Sequence, residues 1–382
     1  MSAFASRLIA WQRCQGRHHL PWQNTRDVYR IWLSEIMLQQ TQVTTVIGYY
    51  ERFVQSFPTV QALATAPLAR VLERWSGLGY YRRAHHLHAA AQTVVNDYDG
   101  VFPDTQEQLM ALPGVGRSTA AAIAVFAFGR RAAILDGNVR RLLARHHGVE
   151  GFPGLPAVEK TLWTLAERLL PKQYLEAYTQ GLMDLGAQIC TRNKPQCAQC
   201  PLRADCVAYR QDRVHELPTP RSGKAPTRCD LCLLILRRNG RVLLEARANR
   251  GIWSGLWSFP ECNADDNLAA LIRARWGLTL VAKTARPVMV HKLTHRTLHI
   301  TPVLVTVRGR LRNAAAREEA RFLSLTEARQ CALPTPVRRL LAQEKLFSVI
   351  WQANEEGRGN KETVKESTER RKSQARGHAE EI

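Results

Sequence analysis

Four cysteines, Cys190, Cys197, Cys200 and Cys206, fall in one short stretch with the spacing C-x6-C-x2-C-x5-C, and no other feature constrains the chain as tightly. Thiolates crowded this closely repel one another unless a metal neutralises them, so the stretch is expected to fold around one. Four such ligands suit a single [4Fe–4S] cluster. Zinc competes for the same donors, but structural zinc sites usually draw on two close pairs, and only one C-x2-C is present here, which favours iron. Four unrelated buried thiols are a poor alternative, because Arg192, Asn193, Lys194, Pro195 and Pro201 give the loop no apolar interior of its own.

The chain carries 54 Lys and Arg against 33 Asp and Glu, a formal net charge of +21, which predicts a polyanionic partner, duplex DNA foremost. With 382 residues and 45% hydrophobic composition it can bury sizeable cores in two or three domains. Nine cysteines, an odd count with four in one motif, fit a reducing compartment. Arg7, Trp11, Gln12 and Arg13 interrupt any apolar stretch of a secretory signal. The longest apolar run, Ala120 to Phe128, is far below the roughly 20 residues of a membrane span and reads as a buried helix. The expected setting is cytoplasmic and nucleoid-associated, with a monomeric chain and no membrane partner.

Apolar residues recur at helical spacing up to about residue 210, as in Val28, Ile31, Trp32 and Ile36, or Leu162, Leu165, Ala166 and Leu169. A polar, Pro-rich stretch over 211–228 reads as a linker. Beyond it, Leu231 to Leu236, Val242 to Ala246 and Ile300 to Val307 are β-rich, while Asp266 to Trp276 and Thr335 to Leu346 look helical. The expected architecture is multidomain: an all-α domain over 1–210 that ends in the cysteine loop, then an α+β domain over 229–350. The segment 353–382 has almost no apolar residues and equal numbers of acidic and basic ones, and is expected to be disordered.

Three segments of the helical part carry chemistry. Leu112-Pro113-Gly114-Val115-Gly116, followed by Arg117, Ser118 and an alanine-rich helix, would make a tight turn whose backbone N–H groups face a phosphate. Glu35, four residues after Ile31 and three after Trp32, falls on or beside an apolar stripe. Desolvation there would raise its pKa and fit it to act as a general acid, although a glutamate at a stripe edge can also reach water or Arg30. Asp136, in Ile134-Leu135-Asp136-Gly137-Asn138-Val139-Arg140-Arg141, stands where a helix N-cap belongs, and a helix N-terminus favours its charged form. Two carboxyls with opposed pKa values are what cleavage of a glycosidic bond requires.

These features together carry a resemblance. The Gly-rich turn resembles a helix-hairpin-helix element, and the cysteine spacing resembles the cluster loop of the endonuclease III superfamily of DNA-repair glycosylases. Leu20-Pro21-Trp22-Gln23, the run Trp32 to Val43, Gly77-Leu78-Gly79-Tyr80-Tyr81, the hairpin, the Asp136 segment and the cysteine loop follow the order of the adenine DNA glycosylase family. That resemblance implies base-excision repair: removal of adenine mispaired with 8-oxoguanine, or guanine, from duplex DNA by a retaining, two-carboxylate mechanism with base flipping. It implies that Glu35 protonates the purine at N7, that Asp136 is its partner, and that Asn138 orients the site. It also implies that Tyr80 wedges into the duplex. Gln40 and its neighbouring glutamines add amides suited to base edges. Leu112, Gly114, Val115, Gly116 and Ser118 would position the DNA backbone.

Endonuclease III-type enzymes carry a lysine nucleophile where this chain has Ser118, and a hydroxyl cannot form an imine, so a monofunctional glycosylase is expected. The second domain resembles a Nudix fold through Gly251 to Pro260 and the run around His291, but the expected glutamate helix reads Ala269-Ala270-Leu271-Ile272-Arg273-Ala274-Arg275-Trp276-Gly277. Without metal-binding glutamates it should be a binding module, which in the resembled family reads 8-oxoguanine through a turn corresponding to Leu293-Thr294-His295. A redox-sensing iron–sulfur protein that binds DNA without catalysis remains the alternative if the cysteines are taken alone. Cys229 and Cys232, spaced along an expected strand, should point to opposite faces and serve packing.

Overall fold

The computed structural model describes residues 1–221, 226–248, 251–311 and 320–343. The segment 353–382 and the end of the second expected domain, 344–350, lie outside the described residues. Contacts divide the chain into two compact units, Met1–Lys224 and Ala225–Ile382.

Among the described residues the first unit holds helices and no strand. They are α1 (Ala3–Gln15), α2 (Val28–Leu38), α3 (Val43–Ser56), α4 (Val60–Thr65), α5 (Leu68–Trp75), α6 (Arg82–Asp97), α7 (Gln106–Ala111), α8 (Arg117–Phe128), α9 (Gly137–His147), α10 (Pro156–Leu169), α11 (Leu175–Asp184) and α12 (Val207–Arg210). Short polar side chains start several of them: Ser2, Asp27, Thr59, Thr105 and Asp136 each accept from a backbone N–H of the first turn. Gly129 and Gly148, both left-handed, end α8 and α9. The Ala120 to Phe128 run lies in α8, which is buried along most of its length and packs on α2, α7 and α11. No helix of the described residues is long and apolar enough to cross a membrane.

Residues 211–221, expected as the start of a linker, pack onto this unit. Val214 and Leu217 are buried with Ala208, Arg145 Nε donates to the Leu217 carbonyl at 2.8 Å, and the Gly151 N–H donates to Thr219 Oγ1 at 3.0 Å. A Pro-rich composition marks the break in periodicity but does not say where packing stops.

The second unit is an eight-stranded sheet with helices on both faces. Its strands are β1 (Thr227–Arg238), β2 (Arg241–Ala246), β3 (Trp257–Ser258), β4 (Glu261–Cys262), β5 (Thr279–Ala285), β6 (Met289–Lys292), β7 (Arg296–Arg308) and β8 (Ala320–Leu323). The main path runs β3-β2-β1-β7-β5, with β1 and β7 parallel and every other pair antiparallel. Alternation along β1 sends Leu233 and Ile235 to one face and Leu234 and Leu236 to the other. α13 (Leu268–Trp276) covers the second face through Ile272 and Trp276, while α14 (Leu325–Gln330) and α15 (Thr335–Ala342) cover the first. Cys229 and Cys232 follow the same alternation, one in each core.

Candidate active site

α2 exists because Asp27 caps it and because Tyr29, Ile31, Trp32, Leu33, Ile36 and Met37 are all drawn into the core. This breadth of burial leaves Glu35 facing a cleft of about 1470 Å³ instead of bulk solvent. The residue is half-buried on the cleft wall, yet protein crowds its carboxyl closely and it takes no hydrogen bond from any described residue. That burial, with a smaller contribution from the negative charge of Asp136, pushes its pKa up to about 8.

Asp136 lines the same cleft from the N-cap of α9. Its carboxylate accepts from the backbone N–H of Asn138 at 3.1 Å and of Val139 at 2.8 Å, with the Asn138 amide at 3.4 Å. The expectation of opposed shifts is corrected here, because burial outweighs the cap bonds and the nearby Arg141 and Arg140, so the Asp136 pKa also moves up. What separates the two carboxyls is company: Asp136 has donors and cations around its charged form, and Glu35 has none. Ser118 lies on the cleft wall with its Oγ accepting from the Leu135 N–H at 3.0 Å, so a hydrogen-bonded hydroxyl stands where an amine nucleophile was excluded.

Asn138 is held from both sides. Arg141 Nη2 donates to its Oδ1 at 2.9 Å, and a side chain at Gly186 would place its Cβ 2.7 Å from that of Asn138. Arg141 also donates to the carbonyls of Gly186 at 2.6 Å and Cys190 at 2.8 Å, across the π-helical turn Leu185–Ile189 that leads into the cysteine loop. Sequence reasoning missed Arg141 and Gly186. The available signal was the three-residue helical step from Asn138 to Arg141.

The hairpin forms as expected, with one difference. Leu112 and Val115 are only 2% and 5% exposed, so they anchor the turn in the core, while Gly114, at φ +79°, and Gly116 are exposed and present backbone. A side chain at Gly114 would meet the Cβ of His86 at 2.7 Å. Gln39 donates to the Gly114 carbonyl at 3.3 Å and ties the end of α2 to this turn. Gln40 and Tyr80 are exposed at loop tips, and both are non-glycine residues in the left-handed region, with φ of 56° and 48°. Such backbone strain persists only where the surroundings enforce it.

Cys190, Cys197, Cys200 and Cys206 line one cavity together with Leu142, Ile189, Leu202 and Val214. Burial raises the thiols of Cys197 and Cys206 and pushes Cys200 up to about 12. Arg145 Nη1 stands 3.4 Å from Cys190 Sγ. Among the described residues, no three His, Cys, Asp or Glu side chains form a group able to hold a metal ion as they stand. The chemistry of the pocket nonetheless fits a polynuclear iron–sulfur group: four thiols on one apolar-walled cavity, with an arginine to offset thiolate charge.

In the second unit, Leu293-Thr294-His295 form the tip between β6 and β7, closed by the Leu293 N–H donating to the Arg296 carbonyl at 2.8 Å. Thr294 and His295 are exposed, whereas Leu293 packs against the core beneath them. α13 carries no acidic residue, and Glu245, on β2, is engaged by Arg275 Nη2 and Trp276 Nε1.

The helical unit with its Gly-rich turn and carboxylate-lined cleft defines a helix-hairpin-helix base-excision glycosylase. Residues 33–168 match the model of the HhH-GPD superfamily base excision DNA repair proteins, and residues 231–343 match that of the NUDIX domain. Adenine DNA glycosylase of Buchnera aphidicola subsp. Baizongia pistaciae (strain Bp) is 34% identical over 90% of this chain and 97% of its own. The human adenine DNA glycosylase is 33% identical over 89% of this chain and 73% of its own. The structure of a thermostable thymine-DNA glycosylase aligns with a TM-score of 0.50 at 33% identity, covering 55% of this chain and 95% of that one. The chain belongs to the adenine DNA glycosylase family. It is a base-excision-repair enzyme that hydrolyses an N-glycosyl bond to adenine, and its partner is DNA.

Proposed function

We propose that the enzyme removes adenine mispaired with 8-oxoguanine, or with guanine, from duplex DNA after the adenine has been flipped out of the stack, and that it leaves the strand uncut. The observation that carries this reading is the unlike company of two carboxyls on one cleft. Glu35, raised to about 8 and without a hydrogen bond, holds a proton at neutral pH, while Asp136 has two backbone donors and two arginines around its charge.

With adenine in the cleft, Glu35 donates its proton to N7 and the purine departs with the bonding electrons. The Asp136 carboxylate then bonds to the anomeric carbon of the oxocarbenium-like sugar on the face opposite the departed base, and water entering from the base's side displaces it while giving its proton to the now ionised Glu35, so the configuration is retained. Asn138, fixed by Arg141, orients Asp136. No amine stands at Ser118, which supports a water-consuming course without strand cleavage. Gln40 and Tyr80, strained and exposed, are suited to enter the duplex, and the N–H groups at Gly114 and Gly116 to hold a phosphate.

Cys190, Cys197, Cys200 and Cys206 would hold one [4Fe–4S] cluster, which supplies a metal–thiolate crosslink that folds the loop. Arg192 and Lys194, between the ligands, would then meet DNA phosphates. We read residues 1–210 as the catalytic part and 229–350 as a lesion-reading part, in which Thr294 and His295 recognise 8-oxoguanine and Leu293 supports the turn. We read the chain as a cytoplasmic monomer, and its net charge of +21 supports association with the nucleoid's DNA.

Substitution tests the mechanism. Glu35→Gln and Asp136→Asn should each abolish single-turnover excision while sparing duplex binding. Near-native rates in either variant would refute the two-carboxylate reading.

A further inference from the structure

Arg83 is a buried cation that donates four hydrogen bonds, as many as Arg145 of α9, and the chemistry above does not use it. It lies in the first turn of α6 and is 8% exposed. Its Nη1 donates to the carbonyls of Ile36 at 3.0 Å and Met37 at 2.6 Å, in the last turn of the helix that carries Glu35. Its Nη2 donates to Thr41 Oγ1 at 2.9 Å and to the Gly79 carbonyl at 3.3 Å. The guanidinium also lies over the rings of Trp75 and Tyr80, 5.2 Å and 5.4 Å from their centroids. Burial lowers its pKa only to about 10, so the group stays charged at neutral pH.

These partners are not scattered. Thr41 adjoins Gln40 and Gly79 adjoins Tyr80, and Gln40 and Tyr80 are both exposed, non-glycine residues held in the left-handed region. One planar fork therefore spans three segments: the end of α2, the tip bearing Gln40 and the tip bearing Tyr80. A purely structural arginine needs only to cap the α2 carbonyls. The bonds to Thr41 and Gly79 reach past that task to the two strained tips.

We propose that Arg83 is a positioning residue for base extrusion, holding Gln40 and Tyr80 at a fixed spacing so that both enter the duplex together, in register with the helix that presents Glu35. The proposal rests on the reading of Gln40 and Tyr80 as residues that enter the duplex. Arg83 touches neither substrate nor acid, and acts through the two tips. Lysine keeps the charge but cannot bridge the segments with a planar fork. The loss should therefore fall on extrusion and not on the proton transfer.

The test compares native enzyme, Arg83→Lys, Thr41→Val and Tyr80→Ala on two duplexes. In one, adenine opposite 8-oxoguanine sits in fully paired DNA; in the other, the same pair is flanked by mismatches that have already loosened the stack. Circular dichroism and thermal melting check the fold, and 2-aminopurine fluorescence in a Glu35→Gln background reads extrusion directly. Arg83→Lys should lose about 30- to 100-fold in single-turnover rate on the paired duplex, the scale expected of a small misplacement. On the loosened duplex the loss should shrink to under about fivefold, with binding and the pH profile unchanged, because the unstacking is already done. Thr41→Val, which leaves the guanidinium in place, should show the same pattern at roughly one third of the size on a logarithmic scale. Equal losses on both duplexes, or a native 2-aminopurine signal in both Arg83→Lys and Thr41→Val, overturn the proposal. If Tyr80→Ala lowers extrusion while those two variants do not, Arg83 alone has been misread. If Tyr80→Ala leaves extrusion untouched, the reading of the tips fails and the proposal with it.

Discussion

Arg141 donates through Nε to the carbonyl of Cys190 at 2.8 Å while its Nη2 holds Asn138 Oδ1 at 2.9 Å, so one side chain joins the first cysteine of the loop to Asn138, in the turn that Asp136 caps. Removing it strips donors from Asn138 and from the Gly186 and Cys190 carbonyls together. Arg141→Leu is expected to cost about 1–3 kcal/mol of stability, the scale of leaving partly buried acceptors unsatisfied. It should also lower the single-turnover excision rate at least tenfold, because Asn138 loses its orientation. Thermal melting and single-turnover kinetics on the same preparation check both effects.

The pKa of Glu35 makes a prediction with a definite sign. Its ordinary value is 4.5 and its value in the fold is about 8. Between these limits the folded chain holds a proton that the unfolded chain releases, so this residue's contribution to stability declines as pH rises from about 4.5 to 8. Glu35→Gln should therefore melt higher than the native protein at pH 8, by at least about 1 kcal/mol, with little difference near pH 4.5. The native single-turnover rate should fall about tenfold per unit above pH 8, where the acid has lost its proton. Melting and rate series from pH 5 to pH 9.5 report both.

Cys200→Ser should lose iron and DNA affinity together. Anaerobically prepared native protein should contain iron and sulfide near four per chain with broad visible absorption. Elemental analysis and duplex titration check this, and one zinc per native chain with no iron would exclude the cluster.

The cysteine spacing, the Asp136 cap, the Gly-rich turn and the stripe position of Glu35 were legible because each is local, settled within a helical turn or a tight loop. Arg83 and Arg141 were not, because their partners, Ile36, Met37, Thr41 and Gly79 for one and Gly186 and Cys190 for the other, come together only through packing. The direction of the Asp136 shift was misjudged for the same reason. A cap bond is visible in sequence, but the desolvation that outweighs it comes from the rest of the unit. Leu112, Val115 and Leu293 carry apolar side chains that a motif assigns to an interface and the folded core claims.

The exposed tip of the second unit predicts discrimination without loss of chemistry. Thr294→Ala with His295→Ala should reduce the preference for adenine opposite 8-oxoguanine over adenine opposite guanine by about 1–3 kcal/mol, while the rate on the guanine mispair stays near native. Single-turnover rates and affinities on the two duplexes measure it, and an unchanged ratio would mean that the lesion is read elsewhere.

The most direct measurement of the central claim uses a duplex with a single adenine opposite 8-oxoguanine, incubated with native enzyme and resolved with and without hot alkali. The two-carboxylate, amine-free site predicts adenine release, an intact abasic strand until alkali is added, and little trapping by borohydride. Cleavage of most strands without alkali, or trapping as strong as that of a lysine nucleophile, would contradict it.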